Sequence, residues 1–233
     1  MSKGKLEKFS EMHTFPNVIQ PSFREVFQKD FRLKDKWNRV FFNKDYPITL
    51  ELGCGKGEYS VELARMFPDR NFLGIDIKGA RLWKGAKAAL QDNIQNVGFI
   101  RTRIDFIDSF FAENEVNEIW LTFPDPQLKK PRKRLTSSRF LNMYKKFLKT
   151  DGCIHLKTDD PELYAYTLSV ARQNNLKVEF ATDNLYALNF SDQVLSIKTY
   201  YEKIWIETGF NIHYMRFKLS GNHVIEEPAE SGA

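Results

Sequence analysis

Three carboxylates and one basic run stand at positions where side chains could do chemistry. Glu51 opens the run Glu51-Leu-Gly-Cys-Gly-Lys-Gly-Glu58, Asp76 ends the next apolar stretch, and Asp125 is the centre of Thr122-Phe-Pro-Asp-Pro126. Gly53, Gly55 and Gly57 make a tight strand-to-helix turn, and without Cβ atoms they let a ligand lie against the backbone. The first amides of the following helix are free donors. A dinucleotide site would need a third glycine at position 58, but Glu58 stands there. Its carboxylate would face a pyrophosphate unfavourably.

An acid two residues ahead of GxGxG suits a ligand without phosphates. S-adenosylmethionine carries an ammonium, a sulfonium and a ribose, so Glu51 is expected to stabilise its cationic end. Asp76 is placed to accept hydrogen bonds from the ribose hydroxyls, as an acid at this position does in dinucleotide folds. Each feature alone has a plainer explanation, an ordinary tight turn or a strand-end acid; together they favour a cofactor site. Pro124 and Pro126 restrict the backbone on either side of Asp125 and hold it out of the helical region. The result is a rigid turn presenting one carboxylate. From Lys129 to Arg134 five of six residues are basic. Such a run is commonly just a solvated face, but beside this turn it points to a polyphosphate substrate. Cys54, inside the glycine turn, reads as a small packing residue rather than a nucleophile.

The surrounding pattern supplies elements that could hold these groups. Strands are expected at 48–53, 71–76, 97–102, 118–123, 153–158, 177–180 and 210–218. Helices are expected at 59–67, 78–90, 139–148, 161–172 and 200–208. Asp160-Pro161 is a strong helix start, and Thr199 with Glu202 fits a capping box. Alternating strands and helices argue for a parallel sheet covered on both faces, with ligands beyond the carboxyl ends of its strands. Residues 1–46, with ten Lys/Arg against six Asp/Glu, read as a basic arm packing on the main domain at 47–220. A polar tail follows at 221–233.

The composition is that of a globular chain: 233 residues, 42 % hydrophobic, 14 % aromatic, 20 Phe, formal charge +5. The modest positive charge is compatible with a nucleic-acid partner. Two cysteines without a CxxC imply no disulfide framework. Four histidines without HxxxH or HExxH spacing suggest no metal site. No apolar run reaches membrane-spanning length, so no membrane partner and a cytoplasmic location are expected. The oligomeric state, monomer or homodimer, stays open.

The segments LELGCGKGEYSVELA, NFLGIDIKGARLWKGA, EIWLTFPDPQLKKPRKRLTSSRFL, GCIHLKTDD and TYYEKIWIETG resemble the bacterial tRNA (guanine-N7-)-methyltransferase family. They span most of the chain. The resemblance implies a Rossmann-like class I methyltransferase with a seven-stranded, mostly parallel α/β sheet, helices on both faces and the last strand antiparallel. It implies S-adenosyl-L-methionine as cofactor and tRNA as partner, methylated in the variable loop. Glu51, Gly53, Gly55, Asp76, Arg103 and Asp125 then match cofactor-site positions, and Asp125 also matches the proposed catalytic acid. Lys129, Asp159, Thr199, Tyr200, Tyr201 and Glu202 match substrate-binding positions. Two positions depart from the family: Arg103 occupies the usually acidic adenine-contact position, with Asp105 two residues later, and Gln127 replaces a common Trp. The competing readings are a methyltransferase for another RNA or a small molecule, and a non-catalytic RNA-binding protein with a relic loop. Glu58 makes a nicotinamide dehydrogenase the least favoured.

Overall fold

The computed structural model describes residues 4–188, 192–219, 221 and 223–228. Its first elements are α1 (Lys5–Met12), β1 (Val18–Ile19) and α2 (Phe23–Val26), followed by one wide helical turn at Trp37–Phe42. The alternating part comprises β2 (Ile48–Leu52), α3 (Glu58–Met66), β3 (Asn71–Asp76), α4 (Gly79–Gln91), β4 (Val97–Arg101) and β5 (Val116–Thr122). After it come α5 (Ser138–Tyr144), β6 (Leu148–Thr158), α6 (Pro161–Gln173), β7 (Lys177–Thr182), α7 (Tyr200–Glu207) and β8 (His213–Lys218).

The strands form one sheet in the order β1-β4-β3-β2-β5-β6-β8-β7. β1 to β6 pair in parallel, whereas β8 runs antiparallel to both β6 and β7. The expected α/β architecture with a final antiparallel strand is present, but among the described residues the sheet has eight strands rather than seven. The added strand is β1, whose Val18 and Ile19 pair with Phe99 and Ile100. It covers the edge that β4 would otherwise expose, and an open edge invites pairing with other chains.

Other boundaries shift for local reasons. The helix expected over 139–148 ends at Tyr144, because Leu148 already pairs with Val116 at the start of β6. The last strand begins at His213, not residue 210, since Gly209 turns the chain in the left-handed region, φ +85°. Asp160 caps α6 as expected, accepting from Leu163 N at 2.6 Å.

β2 is buried along its whole length, as a central parallel strand covered on both faces should be. Residues of the 1–46 segment enter the same core: Phe31, Leu33, Trp37 and Phe42 pack with Phe110, Phe111 and Ile48. Trp37 is fully buried, and its indole N–H donates to Phe110 O at 2.8 Å. Removing it leaves a large void and an unpaired carbonyl. Trp37→Ala is expected to cost about 3–5 kcal/mol, read as a lower urea midpoint in equilibrium unfolding.

Candidate active site

The glycine turn joins β2 to α3, and Gly53, Gly55 and Gly57 adopt φ of +80°, +56° and +70°. At Gly57 a Cβ would also fall 2.5 Å from the Phe99 ring, so glycine is required on both counts. At Gly53 a Cβ would meet only Leu135, at 3.9 Å, leaving space above the turn. Asp76, at the end of β3, braces this turn. One carboxylate oxygen accepts from Gly55 N at 2.9 Å and the other from Lys78 N at 2.6 Å.

Glu51 lies beneath the turn. It is 3 % exposed and accepts from Ser60 N at 2.9 Å, from the Ser60 hydroxyl and, with its other oxygen, from the Thr122 hydroxyl. Burial raises its pKa to about 7, against the opposing effect of these hydrogen bonds. The carboxylate thus links β2, α3 and β5 behind the cavity wall.

Thr122 leads into the turn that carries Asp125. Phe123 and Gln127 flank it at φ +50° and +48°, a costly conformation for residues other than glycine. Two further contacts hold the turn: Asp125 Oδ1 accepts from Gln127 N at 3.0 Å, and Arg134 Nε donates to Pro126 O at 2.8 Å. Arg134 is 6 % exposed and lies over the Tyr166 ring, so one cation of the basic run is a structural brace. Lys129, Lys130, Arg132 and Lys133 are exposed.

Gly53, Asp76, Arg103 and Asp125 line a single cavity of about 540 Å³, together with Ile104, Lys133 and Arg139. Its size is typical of a small-molecule site, about 300–1,000 Å³. Arg103 does not stand alone: Asp105 accepts from Arg103 and, at 2.6 Å, from Arg139. Those two cations hold the Asp105 carboxyl below its usual range against the opposing effect of burial. Ile104 and Phe140 add apolar wall.

The remaining expected residues lie apart from this cavity lining. Lys129 is on the exposed run beyond the turn. Asp159 is half-buried, and burial raises its carboxyl pKa. Thr199 and Glu202 form the capping box of α7: Glu202 N donates to Thr199 Oγ1, and Thr199 N donates to Glu202 Oε2. Glu202 is also buried against Lys157, 2.7 Å away and equally inaccessible. Lys157 further donates to the carbonyls of Leu195 and Ile197. Tyr200 and Tyr201 are exposed, with the Lys56 ammonium 3.6 Å and 5.1 Å from their ring centres. Glu58, which argued against a dinucleotide, accepts from Tyr200 N at 3.0 Å. It therefore ties the glycine turn to α7.

Sequence reasoning missed Ser60, Thr122, Lys157 and the Arg103–Asp105–Arg139 chain. The partners in each bonded set lie on different elements or, for Arg103 and Asp105, are recognisable only through Arg139. No spacing signal marks them.

Residues 45–215 match the family model described as "Putative methyltransferase". A tRNA (guanine-N(7)-)-methyltransferase of Bacteroides thetaiotaomicron is 52 % identical over 98 % of this chain and 90 % of its own. The chain belongs to the tRNA (guanine-N(7)-)-methyltransferase family. A relative of the same name from Porphyromonas gingivalis is 53 % identical over 89 % of this chain and 86 % of its own. Among solved structures, the 16S rRNA methyltransferase KamB superposes with a TM-score of 0.63 at 15 % identity, covering 84 % of this chain and 99 % of that one. That likeness concerns the fold. Within the family fold, the cavity described above lies at the carboxyl ends of β2, β3 and β5, the edge where such sheets bind ligands.

A carboxyl whose pKa is higher folded than unfolded stabilises the fold at low pH and loses that contribution as pH rises. For Glu51 the loss runs from about pH 4.5 to about pH 7. Glu51→Gln removes this titration. The variant is therefore expected to gain on the wild type by about 2–3 kcal/mol between pH 5 and pH 8, measured as the difference in denaturant unfolding free energy at the two pH values.

Proposed function

We propose that this protein transfers a methyl group from S-adenosylmethionine to N7 of a guanosine in the variable loop of tRNA. The observation that carries the reading is the shared cavity. The carboxylate clamped by two prolines and the acid that braces the glycine turn face one space, in a chain of this family.

The residues suit the cofactor. Asp76, beside the glycine turn, can accept further hydrogen bonds from ribose hydroxyls. The open space above Gly53 admits a ligand against the backbone. Ile104 and Phe140 offer apolar wall to a purine ring, with Arg103 at its rim. Glu51 acts from beneath the turn: a cation above it favours its ionised form and offsets its burial. S-adenosylmethionine supplies a methyl group on a sulfonium, an already activated leaving group. Guanine N7 carries an in-plane lone pair and no proton, so no strong base is needed.

The protein's task is then positioning and charge stabilisation. Asp125 accepts hydrogen bonds from the guanine N1–H and amino group, which turns N7 toward the methyl, and it stabilises the positive charge that develops on the base. The strained flanks of its turn hold that carboxylate in place before substrate arrives. Lys129, Lys130, Arg132 and Lys133 contact phosphates. Tyr200 and Tyr201, exposed on α7, offer ring faces on which an extruded base can stack, Asp159 adds to the substrate side, and Thr199 with the buried Glu202 positions α7.

The direct experiment is incubation with labelled S-adenosylmethionine and total tRNA, followed by digestion and identification of the nucleoside. 7-Methylguanosine is the expected product, and label in any other nucleoside overturns the assignment. Asp125→Ala is expected to lower turnover about a hundredfold or more with the cofactor dissociation constant nearly unchanged by calorimetry. The triple replacement Lys130→Ala, Arg132→Ala and Lys133→Ala is expected to weaken tRNA binding. It should also flatten the dependence of log K on log salt by about two to three units, read by filter binding across a salt series.

A further inference from the structure

A second group of chemistry-bearing side chains sits part-way along β5 and β6, among residues that do not line the cavity. β5 and β6 pair with Glu118 opposite Cys153 and Trp120 opposite His155. The two-residue period of a strand brings Glu118, Cys153 and His155 onto one face. His155 Nε2 lies 3.0 Å from Glu118 Oε1 and 3.1 Å from Cys153 Sγ. All three donor atoms fall within 4.8 Å of one another. Glu118 is four residues before Thr122, roughly 13 Å along the strand, and His155 pairs two residues before Thr122, roughly 7 Å; none of the three lines the cavity.

We propose that Glu118, Cys153 and His155 form a binding site for one divalent ion of the zinc type. The donor set is one imidazole nitrogen, one thiolate sulfur and one carboxylate oxygen, the mixture that borderline-soft ions take. Bonds of about 2.0–2.3 Å in tetrahedral geometry separate the donors by roughly 3.3–3.6 Å. The two distances from His155 Nε2 lie within a few tenths of an ångström of that.

The donors are already oriented from outside. The Tyr214 hydroxyl is 2.7 Å from His155 Nδ1, which leaves Nε2 to face the site. Trp120 stacks on the imidazole at 3.8 Å, and its indole N–H donates to Glu118 Oε1 at 2.6 Å. Such outer partners fix ligand orientation at metal sites. Arg70 reaches the other oxygen of Glu118, at 3.4 Å, and leaves Oε1 to the ion.

Charge balances as well. A neutral imidazole, a carboxylate and a thiolate cancel a doubly charged ion. The Cys153 thiol releases its proton to solvent as the sulfur–metal bond forms. Without an ion the cluster is held by contacts of His155 Nε2 with Cys153 Sγ and Glu118 Oε1. Cys153 is partly exposed, and water completes the fourth position. The bound ion would pin β5 to β6.

The test is a titration of the chelator-treated full chain with cobalt(II) and then zinc(II). One equivalent of cobalt(II) is expected to give a near-ultraviolet thiolate-to-metal absorption band and to quench tryptophan fluorescence through Trp120. Zinc(II) should displace it. Cys153→Ser is expected to abolish the band and weaken binding about tenfold or more, whereas Glu118→Gln keeps the band with weaker binding. Absence of a thiolate band in the wild type overturns the proposal. So does an unchanged titration in Cys153→Ser, which would assign the ion to other side chains such as His13 or His223.

Discussion

The arrangement at the cavity depends on one buried carboxylate. Glu51 is out of water, and its three hydrogen bonds reach the first turn of α3 and the end of β5. A buried charge-capable group is tolerated only when its lone pairs are satisfied. The requirement works in both directions: Ser60 and Thr122 must be where they are, so the glycine turn and the strand leading to Asp125 are held in one geometry. A turn braced only by its own backbone would have no such tie to the proline-flanked turn on the neighbouring strand.

A second buried pair performs the corresponding task at the antiparallel end of the sheet. Lys157 and Glu202 are both inaccessible and 2.7 Å apart. Burial lowers the lysine's pKa, and Glu202 opposes that shift. Through Leu195, Ile197 and Glu202, the lysine gathers the segment before α7 and α7 itself onto β6. Glu58 and Lys56 then connect α7 back to the glycine turn. The glycine turn and α7 are thereby parts of one bonded network rather than independent segments.

The turn that carries Asp125 is strained on both sides. Phe123 and Gln127 both adopt left-handed conformations around Asp125, and Arg134 is drawn inward to hold Pro126. The basic run accordingly divides its labour: its last cation supports the turn from below while its exposed members face solvent. Composition alone treats those cations as equivalent, but burial distinguishes them.

Local patterns were enough for the strand–helix alternation, the parallel sheet, the glycine turn and the placement of Asp76 and Asp125 at strand ends, because each rests on neighbours in the chain: a period, a cap, a glycine or a proline. The Asp160 cap and the Thr199–Glu202 capping box are legible for the same reason. Contacts between distant segments were not. The pairing of Val18 and Ile19 with β4, the Glu51–Ser60–Thr122 set, the Lys157–Glu202 pair and the meeting of Glu118 with Cys153 and His155 all arise from strand register and helix docking. Those are decided by which surfaces bury together, and no spacing along the chain records that choice.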